Sequence, residues 1–319
     1  MNTLPPRVSI VEVGPRDGLQ NEKAIVATAD KIAFIDRLTA AGHSTIEVAA
    51  FVSPKWVPQM ADASEVFAGI ARKSGVRYTA LTPNLAGLER ASAAGVSEIA
   101  IFAAASETFS QRNINQSIEQ SLATYAAVCT QAASAGIQVR GYLSTCFGCP
   151  FEGAVAPSQV ARVAARLLGL GVFEISISDT IGVAHPGQVS QVLDAVTKEV
   201  PLAQTALHFH DTRGTALANV LAGLDYGVAT FDSSAGGLGG CPFAPGAAGN
   251  LATEDLLYML DGLGLHTGVS LDHIVESSRF IETRLDHRLP SRYLQAAKLP
   301  FSRDPSGREP ESGPLPGGL

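Results

Sequence analysis

Short apolar or β-branched runs alternate with longer Ala-rich amphipathic stretches along almost the whole chain, and this alternation limits the possible folds more than any other feature. The runs fall at 7–13, 45–48, 77–81, 98–103, 138–144, 173–178, 205–209 and 230–233. The helical stretches that follow them fall at 30–41, 62–73, 85–94, 117–135, 157–168, 186–199, 215–226 and 253–261. A strand that is apolar along its whole length is buried on both faces, as in a parallel sheet lying under helices. Ala41-Gly42, Ala94-Gly95, Ala135-Gly136 and Tyr226-Gly227 place glycine where a helix must stop before the next strand. Eight such units predict an α/β fold, a (β/α)8 TIM barrel. The competing doubly wound sheet would carry a Gly-rich phosphate turn after its first strand, whereas this chain has Gly14-Pro15-Arg16-Asp17-Gly18 there.

The pattern predicts one catalytic domain over 1–301, with a barrel core at 7–262 and extra C-terminal helices within 263–301. Those helices would pack on the barrel or on a partner subunit, and a homodimer or higher homo-oligomer is expected. The Pro-, Gly- and charge-rich stretch 302–319 lacks periodicity and is expected to be a disordered tail. With 46% hydrophobic and 17% charged residues among 319, the chain has enough apolar material for a large core, and aromatics at 6% leave that core to Ala, Val, Leu and Ile. A net charge of −7 without a basic stripe argues against a nucleic-acid partner. No apolar run approaches the roughly 18 residues of a membrane span, so no membrane association is expected. The first six residues show no secretory leader, and four cysteines (Cys129, Cys146, Cys149 and Cys241) form no disulfide framework, so the expected compartment is a reducing cytoplasm.

Barrel enzymes place their chemistry at the carboxyl ends of the strands. Ionisable groups converge there: Arg16 and Asp17 after the first strand, Glu47 after the second, Asp179 after the sixth, His208 and His210 on the seventh, and Asn250 and Glu254 beyond the eighth. His208 and His210 are two apart, so a strand turns both imidazoles to one side. An isolated His-x-His is more often a pair of satisfied strand-end residues. Here Asp17 lies on a nearby strand of a closed barrel and Asn250 can add an amide oxygen. That nitrogen- and oxygen-rich set suits Mg²⁺ or Mn²⁺ better than a structural zinc. Arg16 is either a surface turn residue or a fixed guanidinium for oxyanion charge. Glu47 and Asp179 suit helix caps or partners of Arg16 as well as they suit orienting groups or a general acid or base. Gly236-Gly237-Leu238-Gly239-Gly240-Cys241-Pro242 reads as a long loop or as a mobile lid carrying the Cys241 thiol. Cys146 and Cys149 read as reduced loop cysteines and Cys129 as helix packing. Lys23 and Lys55 lie on the first two βα loops, where a phosphate-bearing ligand would need cations.

The segment Val11-Glu12-Val13-Gly14-Pro15-Arg16-Asp17-Gly18-Leu19-Gln20-Asn21-Glu22 closely resembles the opening of 3-hydroxy-3-methylglutaryl-CoA lyases. So do FVSPKWVPQMAD at 51–62, DTIGV at 179–183, HFHDT at 208–212 and GLGGCPFAPGAAGNLATED at 237–255. The resemblance covers roughly residues 8–290. It implies a carbon–carbon lyase that splits (S)-3-hydroxy-3-methylglutaryl-CoA into acetyl-CoA and acetoacetate, a ketone body, in leucine catabolism. It implies Asp17, His208, His210 and Asn250 as metal ligands, Arg16 as the catalytic arginine and Cys241 as the lid cysteine. It implies Glu47, Asp179 and Glu254 as acidic residues needed for activity, and Gln20 and Lys23, with Arg16, as substrate or CoA contacts. Isopropylmalate and homocitrate synthases share the Arg-Asp turn and His-x-His but diverge in the glycine loop. The chain departs from the family pattern at Arg213, Ser178 and Ala49-Ala50, and no cysteine follows Cys241.

The chemistry fits these residues. Splitting a β-hydroxy thioester removes a hydroxyl proton, whose pKa a divalent cation lowers, and releases a thioester enolate whose oxygen Arg16 can hold. An acid must then protonate the enolate carbon, and Cys241, brought in by lid closure, or a rim residue is the expected donor. Two alternatives share the fold: a lyase for a longer 3-hydroxy-3-alkylglutaryl-CoA, and a Claisen-condensing acyl-CoA synthase. A third is a barrel that binds CoA or metal without catalysis.

Overall fold

Each of the eight apolar runs forms a strand, and the strands pair in sequence order until the last closes on the first. They are β1 (Ser9–Glu12), β2 (Thr45–Ala50), β3 (Arg77–Leu81), β4 (Glu98–Ala104), β5 (Gln138–Ser144), β6 (Ile175–Asp179), β7 (Thr205–Phe209) and β8 (Thr230–Ser233). All pairings are parallel, and closure sets Ser9 opposite Thr230 and Val11 opposite Asp232. The computed structural model describes residues 4–240 and 249–297. The expected tail at 302–319 and Cys241 lie outside the described residues.

Helices α1 (Thr28–Ala40), α2 (Ala63–Gly69), α3 (Leu85–Ala93), α4 (Glu107–Ile114), α5 (Ile118–Ser134), α6 (Pro157–Gly169), α7 (Pro186–Val196), α8 (Ala216–Tyr226) and α9 (Thr253–Gly262) wrap the barrel. Phe34, Ile35 and Leu38 of α1 show why: all three are fully buried, each contributing about 1.5–3 kcal/mol of apolar transfer. Gly42 and Gly227, which end α1 and α8, both adopt φ of 105°, the left-handed stop anticipated from their positions. Cys129 is buried in α5, in keeping with helix packing, and Cys146 and Cys149 are buried free thiols, in keeping with reduced cysteines.

Two helices differ from the periodicity. The stretch expected at 62–73 ends at Gly69, because neighbours take over the next backbone groups. The Ala71 amide donates to Asp36 Oδ1 at 2.9 Å, and Arg72 reaches back to the carbonyls of Ala94 and Gly95. Helix α4 lies between the run at 98–103 and the helix expected at 117–135, where the periodicity predicts no element. Ser106 caps it by accepting from the Phe109 amide, and Asn115 stops it at φ of 54°.

After the barrel come α10 (Leu271–Leu285) and α11 (Arg292–Ala296). Both pack on the barrel. Arg37 of α1 lies 4.6 Å from the Phe280 ring, and Arg284 reaches Asp30 at 3.1 Å. Further on, the Ser291 amide donates to the Gly236 carbonyl and the Tyr293 amide to Asp255 Oδ1. The C-terminal helices therefore brace the loop that leaves β8.

The barrel interior is unusual in one layer. Such interiors are mostly filled by branched apolar side chains. Here Arg140 of β5 crosses to Asp232 of β8 at 2.8 Å and also bonds Glu174 at 2.7 Å, while Ser176 of β6 donates to Asp232 at 2.7 Å. This polar layer supports the rim above it.

Candidate metal centre and active site

The turn after β1 carries the first two functional side chains. The amides of Arg16, Asp17 and Gly18 all donate to the Val13 carbonyl, which winds 14–18 into one wide helical turn. Gly18 is required there: a Cβ at that position would stand 2.7 Å from Leu238 Cβ, where the β8 loop passes over the turn. Arg16 is 6% exposed. Its Nε donates to Glu47 Oε2 at 2.5 Å and its Nη1 to Asp17 Oδ1 at 2.6 Å. Burial works against the guanidinium's charge, but the two carboxylates outweigh it and hold Arg16 protonated.

The metal-competent group comes from two strand ends, those of β1 and β7. Donor atoms of Asp17, His208 and His210 lie within 4.8 Å of one another. Asn250 is brought to them by a bridge to His210, and its Nδ2 donates to Asp17 Oδ2 at 2.8 Å. The buried atoms His210 Nδ1 and Asn250 Oδ1 have no hydrogen-bond partner among the described residues. A buried polar atom left unpaired costs about 1–3 kcal/mol, so orphaned lone pairs beside a carboxylate fit a bound cation. Burial would raise Asp17, but Arg16 and the two histidines hold it down at about 2. Burial, aided by His208, lowers His210 to about 4, which leaves the neutral imidazole that metal ligation needs. Nitrogen and oxygen donors without a thiolate suit a divalent cation.

A cavity of about 710 Å³ opens above this group, within the usual range for ligand sites. Arg16, Asp17, Gln20, His208 and His210 line it, with Leu81, Phe102, Tyr125 and Tyr142 as a largely apolar wall. Gly240 also lines it. The other anticipated residues sit behind this surface. Glu47 backs Arg16. Asp179 accepts from the amides of Val183 and Ala184 at 3.0 and 2.9 Å, holding the loop after β6. Glu254 accepts from the Gly236 amide with both oxygens, and burial raises it to about 8. Lys23 is exposed, outside the cavity lining. Of the departures from the resemblance, Arg213 clamps the carbonyls of Ile181 and Gly182, and Ser178 lines the cavity.

Three residues here were missed from sequence. Tyr142 has Arg16 at 5.5 Å and Arg140 at 5.0 Å from its ring centroid and meets the His208 ring edge-on. Arg140 and Asp232 form the layer beneath. A signal existed: Arg140 and Asp232 are charged residues within predicted strands, and Arg140, Tyr142 and Ser144 share one parity of β5.

The closed parallel barrel, its carboxyl-end cavity and the buried Arg–Asp–His–His group define a metal-site barrel enzyme. Residues 7–281 match the HMGL-like family model. The chain is 56% identical over 296 residues to the mitochondrial hydroxymethylglutaryl-CoA lyase of Homo sapiens, covering 93% of this chain and 91% of the relative. The crystal structure of hydroxymethylglutaryl-CoA lyase from Pseudomonas aeruginosa is 54% identical, with TM-score 0.91 over 92% of this chain and 98% of that one. An HMG-CoA lyase from Acinetobacter baumannii, solved in complex with coenzyme A and 3-methylmalate, is 39% identical with TM-score 0.89 over 99% and 100% of the two chains. The chain belongs to the HMGL-like family.

Proposed function

We propose that the protein is a hydroxymethylglutaryl-CoA lyase, cleaving 3-hydroxy-3-methylglutaryl-CoA to acetyl-CoA and acetoacetate in leucine catabolism. The observation that carries this reading is a charged, carboxylate-fixed Arg16 beside the Asp17–His208–His210 group on one cavity, in a chain of this family. Asp17, His208, His210 and Asn250 would hold the cation, Mg²⁺ or Mn²⁺. That cation supplies Lewis acidity toward the substrate hydroxyl and lowers its pKa.

The protein's own residues do the rest. The hydroxyl proton passes to water at the cavity mouth, the oxygen it leaves becomes the ketone of acetoacetate, and the bond between C2 and C3 breaks. The bonding pair passes to the thioester as an enolate. Arg16, with Nε and Nη1 anchored on Glu47 and Asp17, presents its remaining edge to the enolate oxygen. Because the anchors are already in place, no reorganisation is needed when charge develops. The apolar wall of Leu81, Phe102 and Tyr125 limits water near the enolate. Protonation at C2 completes acetyl-CoA, and Cys241 remains the proposed donor. Gln20 and Lys23 are retained as substrate or CoA contacts. Glu47, Asp179 and Glu254 act by holding Arg16, the β6 loop and the β8 loop.

Product analysis tests this. Purified protein is given a panel of 3-hydroxy-3-alkylglutaryl-CoA esters with and without Mg²⁺ or Mn²⁺. Acetyl-CoA and acetoacetate from the methyl ester are expected. Preference for longer esters would transfer the assignment to a sibling lyase, and no cleavage of any ester would refute it. Thiol release from acetyl-CoA plus a 2-oxo acid would instead mark a condensing synthase. Full turnover by Cys241→Ala would remove the thiol from the mechanism.

A further inference from the structure

Beneath the rim, Asp232 is held by more partners than a packing role requires. It is 1% exposed. Its Oδ1 accepts from Arg140 Nη2 at 2.8 Å and its Oδ2 from Ser176 Oγ at 2.7 Å. The same Oδ2 lies 3.3 Å from His208 Nδ1, a buried atom that otherwise has no hydrogen-bond partner among the described residues. The pairing of β7 with β8 sets His208 directly opposite Asp232, so the contact follows from barrel register and not from a chance rotamer. Ser178 of β6 is the register partner of His208 on its other side.

We infer that Asp232 is a positioning residue for His208: it takes the Nδ1–H proton, fixes the ring's tautomer and rotation, and leaves Nε2 as the donor facing Asp17 and His210. An imidazole whose second nitrogen donates to a carboxylate is a more basic and better-oriented ligand. Arg140 and Ser176 supply what Asp232 needs for this. The guanidinium pairs with one carboxylate oxygen in a buried site, and the hydroxyl fixes the oxygen that faces the ring. Tyr142, meeting the His208 ring edge-on, limits rotation of the ring. The inference rests on the metal reading of the rim group.

The test uses the full chain. In metal-free protein labelled with ¹⁵N-histidine, long-range ¹H–¹⁵N spectra at about pH 9 report the tautomer of each neutral ring, and His208→Gln assigns the signal. His208 is expected as the Nδ1–H tautomer, and the Nε2–H tautomer would overturn the inference without any variant having to fold. Mn²⁺ titration followed by electron paramagnetic resonance then compares wild type with Asp232→Asn and Asp17→Asn. Asp232→Asn is expected to bind Mn²⁺ about 10–100-fold more weakly with an unchanged circular dichroism spectrum. Wild-type affinity in Asp232→Asn alone would overturn the positioning role. Wild-type affinity in both variants would overturn the metal reading and the positioning role together.

Discussion

Two histidine–carboxylate pairs lie inside this barrel, and they behave in opposite ways. His43 Nε2 is 3.5 Å from Glu12 Oε2, and His208 Nδ1 is 3.3 Å from Asp232 Oδ2, with all four residues buried. Burial pushes His43 down to about 3 and Glu12 up to about 7, so neither is charged between those values. Burial also opposes charge on Asp232, but Arg140 and His208 hold it down at about 2, and Asp232 in turn raises His208. The third partner makes the difference. Glu12 accepts from the amides of Gly14 and Ala235 and from the Thr253 hydroxyl, all neutral donors. Asp232 has a guanidinium. A neutral pair ties the β1 turn to the β8 loop, whereas a charged pair can polarise a metal-facing imidazole.

That contrast is sharpened first at the charged site. Asp17→Ala is expected to lower kcat by at least about 10³-fold, since the cation's several kcal/mol of stabilisation would be lost, and an acetoacetate assay at saturating Mg²⁺ measures it. Near-normal turnover would break the ligand assignment. Arg16→Met should cost about 10²–10³-fold in kcat, the scale of one oxyanion donor, with a smaller change in KM. A KM effect alone would make Arg16 a binding residue.

Smaller effects are expected at the neutral pair. His43→Leu should cost about 1–3 kcal/mol in denaturant unfolding by altering a buried polar contact, while kcat stays within about twofold. A large kcat loss without loss of stability would erase the distinction between the pairs. The smallest effect concerns pH. Glu254 and Glu12 are raised from 4.5 to about 8 and about 7 in the folded protein, so the folded state binds more protons than the unfolded one above pH 4.5. Their contribution to stability is therefore present below about pH 4.5 and is lost as pH rises toward 7–8. Glu254→Gln should flatten the decline of Tm across pH 5–8, and an unaltered slope would show that Glu254 does not titrate there.

Most of the fold was legible. The eight apolar runs, the glycine stops and the two post-barrel helices came from periods of 2 and 3.6, which are local properties of the chain. The rim was legible where function concentrates polar residues at strand ends: Arg16, Asp17, His208, His210 and Asn250 do converge. Less legible was what each acid does there. Asp179 and Glu254 turn inward onto loop amides, and nothing in their spacing separates that from a place in the cavity.

Sequence alone therefore determined the units, their order and the ring of strand ends, because side-chain direction on a strand follows from neighbours in the chain. The tertiary structure alone decided that Arg140 meets Asp232, 92 positions away, and that Asp232 stands beside His208 and not Glu12. Those meetings depend on the register at which eight strands close. That closure brings a guanidinium to one buried carboxylate and only neutral donors to the other.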